Sequence, residues 1–192
     1  MESDFRKNPP YGSASEKRLV GAKGLHELEV TKMENQSPLK GKRVLAVDDE
    51  PDVIETLKEA LSLCEFVGKG TYKEALAYLE DHRPDLAILD IMGVKGFDLL
   101  KICAERNIPA VMLTAHAFSL DSLKKSIELG ASAYFPKEKM PSLVPFPEEV
   151  LSLERKESWQ RLSERLGEFF NATLGTDWKK HMIVLDPLIL KR

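Results

Sequence analysis

Acidic side chains directly follow two short apolar runs of the sequence, and their types suit metal and phosphate chemistry. Asp90 comes after the run at 87–89, which predicts a buried strand, and Asp48 and Asp49 follow a second run at 44–47. A carboxylate at the end of a buried strand is costly unless it is solvated or has a partner. Three such carboxylates would raise one another's pKa and repel unless a cation enters. A divalent ion bound by oxygen ligands would relieve this repulsion.

The expected ion is Mg²⁺ (or Mn²⁺), which takes one or two direct carboxylates and keeps several waters. We assign Asp49 and Asp90 as direct ligands and the backbone carbonyl of Met92 as a third. Asp48 is expected to act through a water molecule. This arrangement would leave room for phosphate oxygens at the ion.

Two further polar side chains stand near strand ends. Thr114 ends the apolar run at 110–113, and Lys137 comes soon after the run at 133–135. Phosphoryl transfer asks a protein mainly for positioning and charge neutralisation. We expect the metal, Lys137 and the Thr114 hydroxyl each to serve one phosphoryl oxygen, while Asp90 attacks as a carboxylate nucleophile. Each residue alone would be an ordinary strand-end side chain, so the interpretation depends on their occurring together.

The elements that must position these residues lie between 42 and 137, where five short apolar strands alternate with amphipathic helices. That alternation predicts a parallel sheet covered on both faces. Binding sites in such sheets lie at the carboxyl ends of the strands, which is where the candidate side chains fall. Thr71 with Glu74 three residues later predicts a capping box for the second helix, and Gly130 is expected to end the fourth.

Composition limits the classes of function. The chain has 192 residues, 43% of them hydrophobic and 31% charged, with a net charge of -3. These values are typical of a globular protein without a basic field for nucleic acid or anionic membrane. No apolar run approaches the roughly 18 residues of a membrane span. Cys64 and Cys103 lie in apolar segments and are expected to be buried thiols in a reducing cytoplasm.

The segments on either side differ in character. Residues 1–39 are polar and irregular and predict a flexible N-terminal arm, with a short helix near 25–33 left open. Residues 40–140 form the predicted domain. Residues 141–192 predict a proline-rich connector, one long amphipathic helix from Glu148 to about Thr173 and an apolar tail.

The predicted C-terminal helix carries an apolar stripe, which either packs on the domain or pairs with a partner or a second copy. Acidic and basic residues balance from 148 onward, so this segment lacks the basic surface of a DNA reader. The stripe consists of Trp159, Leu162, Leu166, Phe169 and Phe170.

Four segments resemble, in order and spacing, the receiver domain of two-component response regulators. They are VLAVDDEP at 44–51, PDLAILDIM at 84–92, IPAVMLTAH at 108–116 and GASAYFPK at 130–137. The resemblance covers about residues 40–140 and implies a flavodoxin-like, doubly wound five-stranded parallel sheet of order 2-1-3-4-5, followed here by a C-terminal helical extension. It also implies that Asp90 accepts phosphate, with Mg²⁺ required, from a sensor histidine kinase or phosphotransfer protein.

The same resemblance implies a switch. Thr114 would follow the phosphoryl group, and Tyr134 would be the aromatic residue that rotates inward on activation. The output face would run from about Leu120 through Tyr134 to the following helix, and a homodimer could form through this face or the C-terminal helix. The loop after Asp90 departs from the family, because it has no proline and reaches Gly96 about two residues early.

The leading interpretation is a stand-alone, cytoplasmic response regulator of a phosphorelay. It would act through contacts with an output protein, without DNA or membrane binding, and would not be a conventional enzyme. A receiver-like interaction module that phosphate does not switch is the alternative, motivated by the short loop. A phosphohydrolase with a covalent aspartyl phosphate would need a second carboxylate soon after the nucleophile, where Ile91 and Met92 stand.

Overall fold

The computed structural model describes residues 37–115 and 119–175. The predicted arm, with its optional helix at 25–33, therefore lies outside the described residues apart from its last few positions. The apolar tail predicted at 178–190 lies outside them as well.

The core is one parallel β-sheet, as predicted. Its order is β2-β1-β3-β4-β5, and every neighbouring pair of strands is parallel. The central strands β3 and β4 are buried at every residue, because helices cover both faces of the sheet. The strands are β1 (Arg43–Val47), β2 (Glu65–Lys69), β3 (Leu86–Asp90), β4 (Ala110–Thr114) and β5 (Ala133–Pro136). The flavodoxin-like fold is thus confirmed.

Helices connect the strands and extend beyond β5. Within the described residues, no helix combines the length and apolar character that crossing a membrane requires. The helices are α1 (Pro51–Ala60), α2 (Tyr72–Asp81), α3 (Gly96–Glu105), α4 (Leu120–Glu128), a 3-10 helix (Lys137–Ser142), α5 (Pro145–Ser152) and α6 (Arg155–Leu174).

Local signals explain several helix ends. Pro51 occupies the first turn of α1, where its missing N–H is not needed. The Thr71 hydroxyl caps α2 by accepting the Glu74 N–H at 3.2 Å. The reciprocal bond of the predicted capping box is replaced by one from the Thr71 hydroxyl to the Glu74 carboxylate, at 2.9 Å. Gly130 follows α4 with φ +97°, a conformation that favours glycine.

The C-terminal extension corrects the prediction of one long helix. It contains two helices, because Leu153 is extended (φ -114°, ψ 157°) and interrupts the helical backbone. Glu154 then starts α6 with a capping box to Glu157, which satisfies backbone N–H groups that a new helix leaves open. The first of the two helices begins at Pro145, inside the predicted connector, rather than at Glu148.

The apolar stripe of α6 packs within the chain, which is the first of the two alternatives. Trp159 is 1% exposed, and its indole Nε1 donates to the Ala131 carbonyl at 3.0 Å. Leu162, Leu166 and Phe170 are also buried. Helix α6 packs beside β5, so all residues of this edge strand are buried.

The two cysteines are free thiols in different environments. Cys103 is buried, whereas Cys64 is only half-buried. Burial raises the pKa of the Cys64 thiol to about 11 and that of Cys103 to about 12. Both groups are therefore protonated at neutral pH, and the prediction of full burial is right for Cys103 alone.

Candidate functional site

The predicted site residues meet at one end of the sheet. Asp90 and Thr114 are the last residues of β3 and β4, and Lys137 follows β5. Asp48 and Asp49 follow β1, the neighbour of β3. Because all five strands are parallel, their carboxyl ends lie at one edge and bring these side chains together.

One ammonium group links the carboxylates. Lys137 Nζ lies 2.7 Å from Asp48 Oδ2 and 3.1 Å from Asp90 Oδ1. The Asp48 and Asp90 residues are 1% and 3% exposed, whereas Asp49 is exposed. Charge pairing with Lys137 therefore offsets part of the cost of burying these two carboxylates.

Burial dominates the electrostatics of the two buried acids. It raises the pKa of Asp90, while the hydrogen bond from Lys137 opposes that rise and the nearby Asp49 charge adds to it. Burial likewise raises the pKa of Asp48 against the Lys137 bond. Burial alone would lower the pKa of Lys137, but its bonds to Asp48, Glu50 and Asp90 outweigh this and raise it.

Glu50 also belongs to this cluster, and the sequence interpretation missed it. Its carboxylate accepts a hydrogen bond from Lys137 Nζ at 2.7 Å, although its side chain is 61% exposed. Its backbone N–H donates to Asp48 Oδ1 at 3.0 Å. The only sequence signal was a third acid directly after the Asp48-Asp49 pair, at the position that starts α1.

Two further candidate residues, Thr114 and Tyr134, are buried in the neighbouring strands β4 and β5. Thr114 is completely buried. Tyr134 is also completely buried, and its hydroxyl lies 2.7 Å from Ser122 Oγ of α4. Burial raises the pKa of Tyr134, and hydrogen bonds with the Ser122 and Thr114 side chains and the Ser119 backbone oppose that rise.

The short loop between β3 and α3 is tight. Gly93 has φ +46°, and a Cβ added there would overlap the Asp49 carboxylate. A Cβ on Gly96 would overlap the Asp90 backbone carbonyl. Only glycine leaves these atoms in place. Within the loop the Met92 carbonyl accepts the Val94 N–H, and the Met92 side chain is 61% exposed.

The donor set fits a hard divalent cation. Oxygen atoms of Asp48, Asp49 and Asp90 lie within 4.8 Å of one another. Carboxylate oxygens are the ligands that Mg²⁺ prefers, and Gly93 leaves space beside Asp49. The Met92 carbonyl keeps a second lone pair when it accepts the Val94 N–H.

Comparison with known proteins decides the family. The model of the response regulator receiver domain matches residues 44–144, which is more than half of the chain. This chain belongs to the response regulator receiver family.

Two curated relatives that match this chain are longer proteins. The two-component response regulator ARR18 of Arabidopsis thaliana is 39% identical over 103 residues, covering 50% of this chain and 16% of ARR18. The DNA-binding response regulator MtrA of Mycolicibacterium smegmatis is 36% identical over 106 residues, covering 52% of this chain and 45% of MtrA. The chain thus spans less than half the length of these relatives.

A solved structure shares the fold of the receiver domain over its own full length. The CheY-like receiver domain protein of Methanospirillum hungatei JF-1 is 28% identical, with a TM-score of 0.55, and the match covers 64% of this chain and 99% of that one. Helix α6 begins at Arg155, after the last residue matched by the family model.

Proposed function

We propose that this receiver domain accepts a phosphoryl group on Asp90 from the phosphohistidine of a sensor histidine kinase or phosphotransfer protein. The observation that carries the proposal is the environment of Asp90. This carboxylate ends a buried strand, lies 3.1 Å from Lys137 Nζ and shares its surroundings with two further aspartates. A carboxylate, an ammonium group and a cluster of oxygen donors are what aspartyl phosphorylation needs.

The reaction is a displacement at phosphorus. An Asp90 carboxylate oxygen forms the new bond to phosphorus, and the bond between phosphorus and the donor's histidine nitrogen breaks. That nitrogen keeps the electron pair and takes a proton from solvent. Lys137 balances the added charge, and the buried Thr114 hydroxyl donates to a phosphoryl oxygen.

Asp49, Asp90 and the Met92 carbonyl would hold Mg²⁺ or Mn²⁺ directly, and Asp48 would do so through water. When bound, the ion supplies positive charge to a phosphoryl oxygen. Lys137 must exchange one of its carboxylate contacts for such an oxygen. The contact to Glu50 is the easiest to release, because the Glu50 side chain is 61% exposed and regains water.

Signalling would follow through Thr114 and Tyr134 and then through contacts with an output protein. A homodimer through α4, β5 and the C-terminal helices would have to use α4 or the outer side of α6, because β5 is buried. The absence of DNA contacts and a cytoplasmic location stay predictions. We also expect no conventional enzymatic turnover, since Ile91 and Met92 stand where a phosphohydrolase needs a second carboxylate.

The test is phosphorylation with acetyl phosphate and Mg²⁺, followed by measurement of acid-stable, base-labile phosphate on the protein. Incorporation of about one phosphate per chain is expected, and Asp90→Asn should abolish it. Omission of divalent metal should prevent it as well. A folded protein that incorporates nothing would contradict the proposal and leave the phosphate-independent interaction module.

A further inference from the structure

Glu50 occupies the N-cap position of α1, but its side chain does not cap that helix. It makes no side-chain capping bond, and shorter polar residues are the usual caps. Its carboxylate instead accepts a hydrogen bond from Lys137 Nζ at 2.7 Å, across 87 positions of the sequence. The backbone N–H of Glu50 is bound to Asp48 Oδ1 at 3.0 Å, which keeps the residue beside the candidate site. The structure thus uses this glutamate at the site and not at the helix end.

The contact with Glu50 competes with a phosphoryl oxygen for the same ammonium group. An ammonium group has three hydrogens, and three carboxylates lie within 3.1 Å of Lys137 Nζ. The Lys137 side chain is 10% exposed, so a phosphoryl oxygen reaches it by displacing an acid. Asp48 and Asp90 are buried, whereas the Glu50 side chain is exposed. Glu50 is therefore the acid that moves into water when phosphate enters.

The charge of Glu50 also acts on the incoming phosphoryl group. Glu50 Oε1 and Asp90 Oδ1 contact the same nitrogen, so the two oxygens are at most about 6 Å apart. A phosphoryl group that reaches Asp90 comes within a similar distance of Glu50. Two like unit charges at that separation in water repel enough to change a rate about threefold, and a donor with two charges is affected about tenfold.

We propose that Glu50 is a specificity-determining residue for the phosphoryl donor, because it holds Lys137 before phosphate arrives and disfavours small donors that carry two negative charges. Acetyl phosphate is such a donor at neutral pH, whereas phosphoramidate carries mainly one negative charge. A protein donor can offset the displacement of Glu50 through contacts elsewhere on its surface, which a small molecule lacks. The donor preference rests on the proposed phosphorylation of Asp90, whereas the contact between Glu50 and Lys137 does not.

The test measures the phosphorylation rate of the full chain with acetyl phosphate and with phosphoramidate, at low salt and saturating Mg²⁺. Glu50→Gln removes the charge and keeps the size of the side chain. Its rate constant should rise about tenfold with acetyl phosphate and about threefold with phosphoramidate. Both gains should shrink at high salt. Equal gains with the two donors, or no gain with either, would overturn the proposal.

Two variants separate the contact from the overall charge. Asp52→Asn removes an exposed acid from the first turn of the same helix, and it should raise the acetyl phosphate rate about threefold or less. Glu50→Asp keeps the charge, but its shorter side chain suits the N-cap and should release Lys137. Its rates should lie between those of the parent and Glu50→Gln. Parent-like rates in Glu50→Asp, or equal gains in Asp52→Asn and Glu50→Gln, would overturn the proposal.

NMR spectroscopy tests the contact without donor or metal. The Lys137 ammonium signal in lysine-selective ¹H–¹⁵N spectra is assigned with Lys137→Arg. Its protons should exchange with water about threefold faster or more in Glu50→Gln, because an amide oxygen accepts a weaker hydrogen bond than a carboxylate. Asp52→Asn should leave this exchange unchanged.

The two kinds of failure are distinguishable. Equal exchange of the Lys137 ammonium in the parent and in Glu50→Gln would overturn the inference about Glu50, whatever the phosphorylation result. A parent protein that incorporates no phosphate from either donor would contradict the proposed function and, with it, the donor preference.

Discussion

At the scale of single residues, the site is a group of carboxylates arranged around one ammonium. Lys137 contacts Asp48, Glu50 and Asp90 within 3.1 Å, while its own side chain is 10% exposed. One positive charge cannot neutralise all of these acids. The domain therefore holds unfavourable charge at the candidate site, as functional sites commonly do.

Removing one of these charges should stabilise the fold. Burial raises the pKa of Asp90 in the folded state, so ionisation of this group costs stability as pH rises. Asp90→Asn should raise the free energy of unfolding by about 1 kcal/mol at pH 7 without divalent metal, the scale of one unit of pKa. Lys137 keeps its contacts to Asp48 and Glu50, so the substitution leaves no unpaired buried charge. The gain should shrink as pH falls through the raised pKa. Urea denaturation between pH 4 and 8 measures it.

Asp49→Asn is the matched comparison for this experiment, because that residue is exposed and its removal should gain less. A destabilised Asp90→Asn protein at neutral pH would contradict the argument. It would mean that the contact between Asp90 and Lys137 outweighs the cost of burial.

Gly93 should control metal binding through its lack of a side chain. A Cβ there would overlap the Asp49 carboxylate, whereas a Cβ on Gly41, which also has positive φ (+68°), meets nothing within 4 Å. Both alanine variants should lose about 1 kcal/mol of stability through backbone strain. Only Gly93→Ala should weaken Mg²⁺ or Mn²⁺ binding, by tenfold or more in titration calorimetry. Equal effects of the two variants would remove Gly93 from the site.

At the scale of elements, the strands and α1–α4 were predictable because their signals are local. Apolar runs of four or five residues, a proline at a helix start and a glycine after α4 need no tertiary information. The division between α5 and α6 was not predictable in this way. No proline or glycine stands between Glu148 and Leu166 to mark a helix end. The break depends on the extended backbone at Leu153 and on the Glu154–Glu157 capping box.

The site residues likewise differ in whether local sequence could predict them. Asp48, Asp49, Asp90, Thr114 and Lys137 were placed together from strand ends alone. Glu50 was missed, because its role depends on a side-chain rotamer and on its distance from Lys137, which is far away in the chain. The predicted role of Met92 as a metal ligand uses its backbone carbonyl, and it stays a prediction.

Helix α6 should contribute strongly to stability through Trp159. The ring is 1% exposed and its Nε1–H is bonded to the Ala131 carbonyl. Trp159→Ala should lower the free energy of unfolding by about 3–5 kcal/mol, the usual cost of deleting a buried aromatic side chain. Far-UV circular dichroism during denaturation measures this. The neighbouring exposed Gln160 provides the control, and its alanine variant should change stability by less than about 0.5 kcal/mol.

At the scale of the whole molecule, α6 lies between the receiver sheet and any partner that approaches β5. A conformational change at Thr114 and Tyr134 would therefore reach that side of the protein through α6 and α4. We expect phosphorylation to change hydrogen–deuterium exchange in α6 more than in α2, which packs beside β2 at the opposite edge of the sheet. Mass spectrometry before and after acetyl phosphate measures this, and an unchanged α6 would place the output elsewhere.

The covering of β5 also determines how this sheet can meet other chains. A sheet has two edges whose unpaired backbone groups can accept a further strand. Here β5 is buried at every residue, while β2 includes exposed residues at Glu65 and Gly68. Strand addition, whether by a binding peptide or during aggregation, is therefore confined to the β2 edge. The charged ends of that short strand, Glu65 and Lys69, make it a poor template for such growth.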